Sequence, residues 1–488
     1  MISDLRFQIA DFRKTATALL IAAIAGVALS AQAPDRGKPP AIGPAPSLKQ
    51  PTIQKQKLSN GLAVWIVEHH EVPLVQVNLI VRSGSSADPI GKYGVGSLTA
   101  AMLDEGAGTR SSLDLADAID FLGANITTNS SFDASSVRLS SPVSKLGDAL
   151  PLMSDIALRP TFPATELDRL RKERLTSLLQ ARDNVSALVQ LAFPRIVYGP
   201  VHRYGTSTNG LPPALESLTL DDLRGFYRAH YRPDNATLLV VGDVTPASVL
   251  PLLEKAFGGW KAEGMAPLVA AVPTAPQLTK RQVYLVDKPG AAQSQIRIGW
   301  VGVPRSTPDY ATLTVLNTIL GGSFTSRLNQ NLREKNGYTY GASSIFDMRI
   351  SAGPFLAAAG VQTDKTADAL REFFVELNGI LDPIPAEELT KAKNNVALGF
   401  PGEFETTGDM ARKLEELVIY GLPDDTFSSF VPAINRVTGA DVQRAAARYV
   451  QPDKMAVVVV GDRAAIEANI RGLNLGPVQI VPIDDLFR

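Results

Sequence analysis

The feature that most constrains this chain is a repeat of itself at a constant offset. SLTLDDLRGFYRAHYRPDNATLLVVGD, ending at Asp243, returns as VTGADVQRAAARYVQPDKMAVVVVGD, ending at Asp462. Thr219 matches Thr438, Pro233 matches Pro452 and Gly242 matches Gly461, each 219 residues apart. The unit starts agree as well: Val67 matches Val286, Val77 matches Ile296 and Leu79 matches Ile298 at the same 219 residues. A fixed period of this length means one folding unit present twice. The Pro-containing stretch with Pro267, Pro273 and Pro276 reads as the linker between the copies.

Within a unit, Val75, Val77, Leu79 and Val81 keep a mostly two-residue period, as in a strand. Short β-branched runs at 238–241 and 457–460 suit buried strands. Apolar spacing near 3.6 predicts helices over 97–103, 112–122, 166–181, 366–381 and 386–397. Hairpin strands followed by runs of helices predict an α+β fold: two duplicated units, each an antiparallel-rich sheet with helices on one face. The expected division is 1–30 as a leader, 31–51 as a Pro-rich lead-in, 52–260 as the first unit, 261–280 as the linker and 281–488 as the second unit.

Arg13 and Lys14 precede an uncharged run over 15–30, followed by Ala31, Gln32 and Ala33, which is the layout of a secretory signal. The run is short of the roughly 20 residues a spanning helix needs, so no stable membrane span is expected in the mature chain. The expected location is outside the cytoplasm, in the periplasm, with a retained N-terminal anchor as the alternative. Lys and Arg number 48 against 49 Asp and Glu, which leaves no basic surplus for a nucleic-acid backbone. The absence of cysteine removes thiol nucleophiles, Cys-ligated zinc and disulfides together. No serine-hydrolase elbow or phosphate-binding loop is present. Gly84-Ser85-Ser86 and Gly322-Ser323-Phe324 do not complete the first, and Gly321-Gly322 lacks the Lys-Ser/Thr of the second.

Four histidines remain. His69 and His70, flanked by Glu68 and Glu71, read as a solvated turn, because adjacent side chains on extended chain point apart. His202 and His230 read as packed or hydrogen-bonded structural residues rather than catalytic bases.

The stretch GLAVWIVEHHEVPLVQVNLIVRSGSSADPIGKYGVGSLTAAMLDEGAGT resembles the opening domain of the pitrilysin-type zinc peptidases, the family of mitochondrial processing peptidase and insulin-degrading enzyme. The likeness extends through nearly all of the chain after the leader, including LGGSFTSRLNQNLREKNGYTYG in the second unit. Active members carry H-x-x-E-H on the first helix, where positions i and i+4 aim two imidazoles at zinc and the glutamate activates water. By this match Ser97, Ala100 and Ala101 replace the first histidine, the glutamate and the second histidine. The later glutamate ligand falls, counting from Glu173, on Gln180. The resemblance thus implies no metal site and no cofactor in this chain.

The half of such enzymes that lacks zinc contributes an Arg and a Tyr to the substrate, and the matching residues are Arg333 and Tyr340. Guanidinium and phenol groups can donate to a peptide carbonyl or an oxyanion. Read from composition alone, the same pair is a helix-end arginine with a tyrosine packed beneath it. Residues 123–131 match the family's substrate-binding edge strand, with a departure from its usual Asn-Ala pattern. The resemblance implies a clamshell and a chain inactive alone: the zinc-less subunit of an exported heterodimeric metallopeptidase acting on peptides or unfolded chains. The partner would be a homologous subunit holding intact H-x-x-E-H and the zinc. The rival expectation is an inactive scaffold or peptide-binding protein of the same fold, with a self-pairing homodimer as a third.

Overall fold

A computed structural model describes residues 43, 52–262, 264 and 272–488. The expected leader and almost all of the lead-in lie outside the described residues, as does the middle of the expected linker. Two six-stranded sheets organise the remainder. The first contains β1 (Gln54–Lys57), β2 (Ala63–Glu68), β3 (Leu74–Val81), β4 (Asn125–Ser130), β5 (Ser135–Pro142) and β6 (Ala236–Gly242). The second contains β7 (Gln282–Asp287), β8 (Gln293–Val301), β9 (Thr339–Phe346), β10 (Pro354–Gln362), β11 (Ala456–Gly461) and β12 (Val478–Val481).

Their spatial orders are β1-β2-β6-β3-β5-β4 and β12-β7-β11-β8-β10-β9. The duplication therefore holds in topology and in register. Val77 faces Val240 across an antiparallel pair, and Ile296 faces Val459 in the same way. An equivalent parallel pair lies in each sheet, with Ala63 beside Thr237 and Gln282 beside Ala456. The outer strand differs: β1 runs antiparallel to β2, whereas β12 runs parallel to β7.

The helices used below are α1 (Val95–Ala101), α2 (Leu146–Leu158), α3 (Ala164–Ala181), α4 (Val185–Tyr198), α5 (Leu220–His230), α6 (Pro246–Phe257), α7 (Thr366–Gly379), α8 (Thr407–Tyr420) and α9 (Gly439–Tyr449). Thr219 caps α5 and Thr438 caps α9, each in a reciprocal box with the aspartate three residues on. Such a cap is worth about 1 kcal/mol and starts both helices at equivalent places. No described helix is long and apolar enough to cross a membrane.

Each half lays helices of its own on one face of its sheet, as the sequence pattern predicts, but the other face is buried too. Along β6, Leu238 and Val240 enter the core under α2 and α5, while Leu239 and Val241 enter a second core with Met410, Leu414 and Leu417 of α8. Along β11, Val457 and Val459 face α7 and α9, while Val458 and Val460 pack with Leu188, Val189 and Phe193 of α4. A helix from the second half thus covers the first sheet, and a helix from the first half covers the second. Gly299 on β8 has no room for a side chain, since a Cβ there would lie 2.0 Å from the Phe355 carbonyl oxygen of β10 and 3.0 Å from the Phe193 ring of α4.

Polar groups fix these crossings. Glu415 of α8 is buried and accepts from Arg138 Nε and Nη2, both at 2.8 Å, and from Asn78 Nδ2 at 2.7 Å. The turn between β9 and β10 docks on the first half. There the Tyr204 hydroxyl donates to Asp133 at 3.1 Å and accepts from Ser351 N at 3.2 Å, and Ile350 N donates to Asp133 at 3.0 Å.

Glu415→Ala leaves Arg138 and Asn78 without their acceptor in an apolar seam. With Arg138 partly solvated, the expected loss is about 2–3 kcal/mol in urea unfolding. A change within 0.5 kcal/mol would show that the seam tolerates the unpaired groups. His230, buried against the Phe226 ring and bonded to Ser83 Oγ at 3.0 Å, is pushed down to about 4 by burial. The folded state keeps it neutral while the unfolded chain protonates near 6.5, so stability is lost as pH falls from about 6.5 towards 4. Urea titrations at pH 7 and 4.5 should show about 2 kcal/mol more acid destabilisation in the parent than in His230→Gln. Equal slopes would remove this role.

Candidate functional site

The helix on which the resemblance places a zinc motif is α1. Gly94, at φ 99°, turns the chain into α1 and lies against Gly210, where a Cβ would come within 2.8 Å of backbone. The Asp88 carboxylate accepts from Gly94 N at 2.7 Å and Gly96 N at 2.9 Å, satisfying amides that the first turn cannot pair internally. Arg203 donates to the same carboxylate at 3.0 Å. Burial nevertheless pushes Asp88 up to about 6, against the pull of Arg203 and the two amides.

Ser97 donates to Thr208 O at 2.6 Å and accepts from Arg174 Nη1 at 3.0 Å. Arg174, on α3, also donates to Asn209 O at 3.2 Å, and burial pushes its guanidinium down to about 10. A fixed cation is therefore bonded to the side chain at the first ligand position. Ala100 is buried and Ala101 half-buried, and neither side chain carries a donor atom for a metal. Gln180 is exposed and makes no side-chain hydrogen bond among the described residues, and Glu173 is an exposed partner of Arg169 at 3.4 Å.

Zinc takes three or four nitrogen, oxygen or sulfur ligands. A serine bonded to a guanidinium, two alanines and an exposed amide do not supply them. Among the described residues no group of three or more His, Asp or Glu could hold a metal. The residues at this position do not fit zinc.

The histidines are occupied elsewhere. His70 lies 2.7 Å from Asp243 and 3.2 Å from Glu68 at the surface, and those carboxylates, Asp243 foremost, raise its pKa. His69 is 3.9 Å from Glu71. His202 accepts from Tyr204 N at 3.0 Å through Nδ1, which leaves Nε2 to donate to Pro273 O at 2.8 Å.

The segment matching the family's substrate strand forms β4, at the open edge of the first sheet, with exposure alternating along it. Asp104 is pushed up to about 6 by burial, against the lowering effect of Thr128 on that strand. In the second half, residues Gln330–Lys335 form a π-helix that carries Arg333, and a turn through Gly337 (φ 66°) leads into β9, which carries Tyr340. β9 is likewise an edge strand, and its register breaks between Thr339 and Ala342. Asn329 Oδ1, accepting from Ala342 N at 3.2 Å, and Thr339 Oγ1, donating to Gly360 O at 2.7 Å, pin that bulge.

Tyr340 is 92% exposed, so it packs beneath nothing. Arg333 lies 4.6 Å over the Phe324 ring, and its one ion contact is the adjacent Glu334 at 3.5 Å. Sequence reasoning passed over Phe324, Asp88, Arg203 and Arg174. The only hint of Arg174 was a basic residue directly after Glu173.

Restoring Ser97→His, Ala100→Glu, Ala101→His and Gln180→Glu together is expected to leave zinc uptake at background while Arg174 remains. Adding Arg174→Ala should raise zinc affinity at least tenfold, read by equilibrium dialysis with metal analysis. Equal uptake by both variants would remove Arg174 as the barrier.

Two family models match consecutive parts of the chain: "Insulinase (Peptidase family M16)" over residues 63–202 and "Peptidase M16 inactive domain" over residues 217–396. An uncharacterized zinc protease of Bacillus subtilis is 23% identical over 392 residues, covering 79% of this chain and 92% of that protein. One from Streptomyces coelicolor is 24% identical over 421 residues, covering 84% and 90%. Among solved structures, an M16 inactive domain from Pseudomonas fluorescens superposes with TM-score 0.78 at 27% identity, over 84% of this chain and 98% of that one. A Helicobacter pylori protease gives 0.76 at 22% over 84% and 100%, and a chain of complex III from Candida albicans gives 0.70 at 15% over 88% and 100%. With both halves matched in order and the clamshell's two sheets in place, the chain belongs to the M16, or pitrilysin-type, peptidase family.

Proposed function

We propose that this chain is the zinc-free subunit of a two-subunit M16 peptidase acting on peptides or unfolded chains, exported to the periplasm. The partner is a homologous subunit that retains H-x-x-E-H and its zinc. One observation carries the reading: Arg333 and Tyr340 sit beside an open sheet edge, Tyr340 exposed and Arg333 held over Phe324 with only the 3.5 Å contact to the adjacent Glu334 as an ion pair among the described residues. A structural pair would be buried or bonded to its surroundings. An extended peptide entering this region meets a guanidinium and a phenol able to donate to its carbonyl oxygen and to the oxyanion that follows. The aromatic ring under Arg333 restricts its orientation and so reduces the ordering cost on binding.

A second reading, an inactive scaffold or peptide-binding protein, draws support from the Arg174–Ser97 hydrogen bond on α1. The two readings separate on recovery of the tagged chain from its host. A one-to-one partner with chelator-sensitive peptidase activity supports the subunit reading, and a lone inert protein supports the scaffold. In the recovered complex, Arg333→Ala should lower turnover roughly 10²-fold and Tyr340→Phe roughly tenfold, with the assembly intact by gel filtration. Unchanged turnover in both intact variants would refute the oxyanion role.

A further inference from the structure

A cleft of about 760 Å³ opens on the helical face of the first half, away from every residue assigned above. It runs between α2, α5 and α6. Its floor is apolar, with Leu150, Leu252, Tyr227 and Trp260 among the lining residues. Its rim is cationic: Arg228, Lys255 and Lys261 are exposed and form no ion pair among the described residues. The one acid in the lining, Asp155, is buried and already taken by Arg159 Nε at 3.0 Å and Arg110 Nη1 at 3.3 Å.

Arg228 and Lys255 stand in the last turns of α5 and α6, where a helix dipole attracts cations. That alone does not absorb them. The carbonyls at the end of α6 are taken instead by Asn60 Nδ2, which donates to Phe257 O at 2.9 Å and Trp260 O at 2.8 Å. The surplus positive charge faces solvent over an apolar floor.

The duplicated half supplies an internal control. Its α7 follows the turn Thr363–Lys365 as α2 follows Val143–Lys145, so Phe374 occupies the place of Ser154. Phe374 is 6% exposed and has Arg281 stacked 4.5 Å over its ring. On α9, Ala446 and Ala447 stand for Tyr227 and Arg228. The same fold thus fills this position with a phenylalanine in one half. In the other it leaves room, lines the space with aromatic rings and rims it with cations.

We propose that this cleft binds an anionic amphiphile, its alkyl or aryl body on the floor and its carboxylate or phosphate head held by Arg228, Lys255 and Lys261. Cavities of this size hold small organic ligands, and charge complementarity selects the head group. The apolar body displaces water from Leu150, Leu252 and Trp260, while the head remains in reach of the rim.

Calorimetric titration of the full chain tests this with decanoate, decyl phosphate, decyltrimethylammonium and inorganic phosphate. Decanoate or decyl phosphate is expected to bind once per chain. The stronger of the two identifies the head group, and decyltrimethylammonium and inorganic phosphate should bind at least tenfold more weakly. Ser154→Phe, which copies the second half, should weaken the favoured ligand at least tenfold, with the thermal midpoint as the check on folding. The surface variant Arg228→Glu/Lys255→Glu should do the same and should also strengthen decyltrimethylammonium. No saturable binding of either anion overturns the proposal. So does equal binding of the cationic amphiphile, equal binding of bare phosphate, or parental affinity in both folded variants.

Discussion

The central strands are apolar on both sides, and everything else in this molecule follows from having to cover both. A strand such as Ala236–Gly242, buried at every position, cannot rest on its own helices alone. Each half meets the shortage by borrowing: α8 covers the first sheet and α4 the second. The exchange makes the two halves one cooperative body even though each repeats the other's topology. It also explains the polar groups at the seams, because Glu415 and Asp133 are each buried where a partner from the other half satisfies them.

At the position that the family resemblance assigns to a metal site, this chain carries a positive charge of its own. Here it is covalently part of the chain, brought by α3 and held by Ser97 and Asn209. A guanidinium cannot polarise a water as a metal does, but it does keep a positive centre near the buried carboxylate of Asp88. Small side chains at Ala100 and Ala101, together with a hydrogen-bonded arginine, give the helix a settled environment of its own.

Much of the fold was legible because the duplication writes each element twice. The 219-residue offset reappears in α5 and α9, in β2 and β7, and in the pairing of Val77 and Ile296. The two-sided burial was foreshadowed by the unbroken runs 238–241 and 457–460, but nothing in α4 or α8 states which sheet they cover. An amphipathic helix has the same period whatever it packs on. Ser97, Ala100 and Ala101 could be named from the sequence by counting along the motif that the resemblance supplies, and all three lie on α1. Arg174 could not be named in this way, because its role depends on which face of α3 turns towards α1. Tyr340 was named by its neighbours in sequence, while its exposure is set by the bulge at Thr339, a property of the strand rather than of the tyrosine.

Reciprocal coverage has a consequence for how such a chain is made. Synthesis proceeds from the amino end, so the first sheet can be complete in its pairing long before α8 has left the ribosome. Until then Ile80, Leu239 and Val241 form an uncovered apolar strip on a finished sheet. Over that interval the half-built protein is a natural client for chaperones, and its two halves become safe from aggregation together rather than in turn.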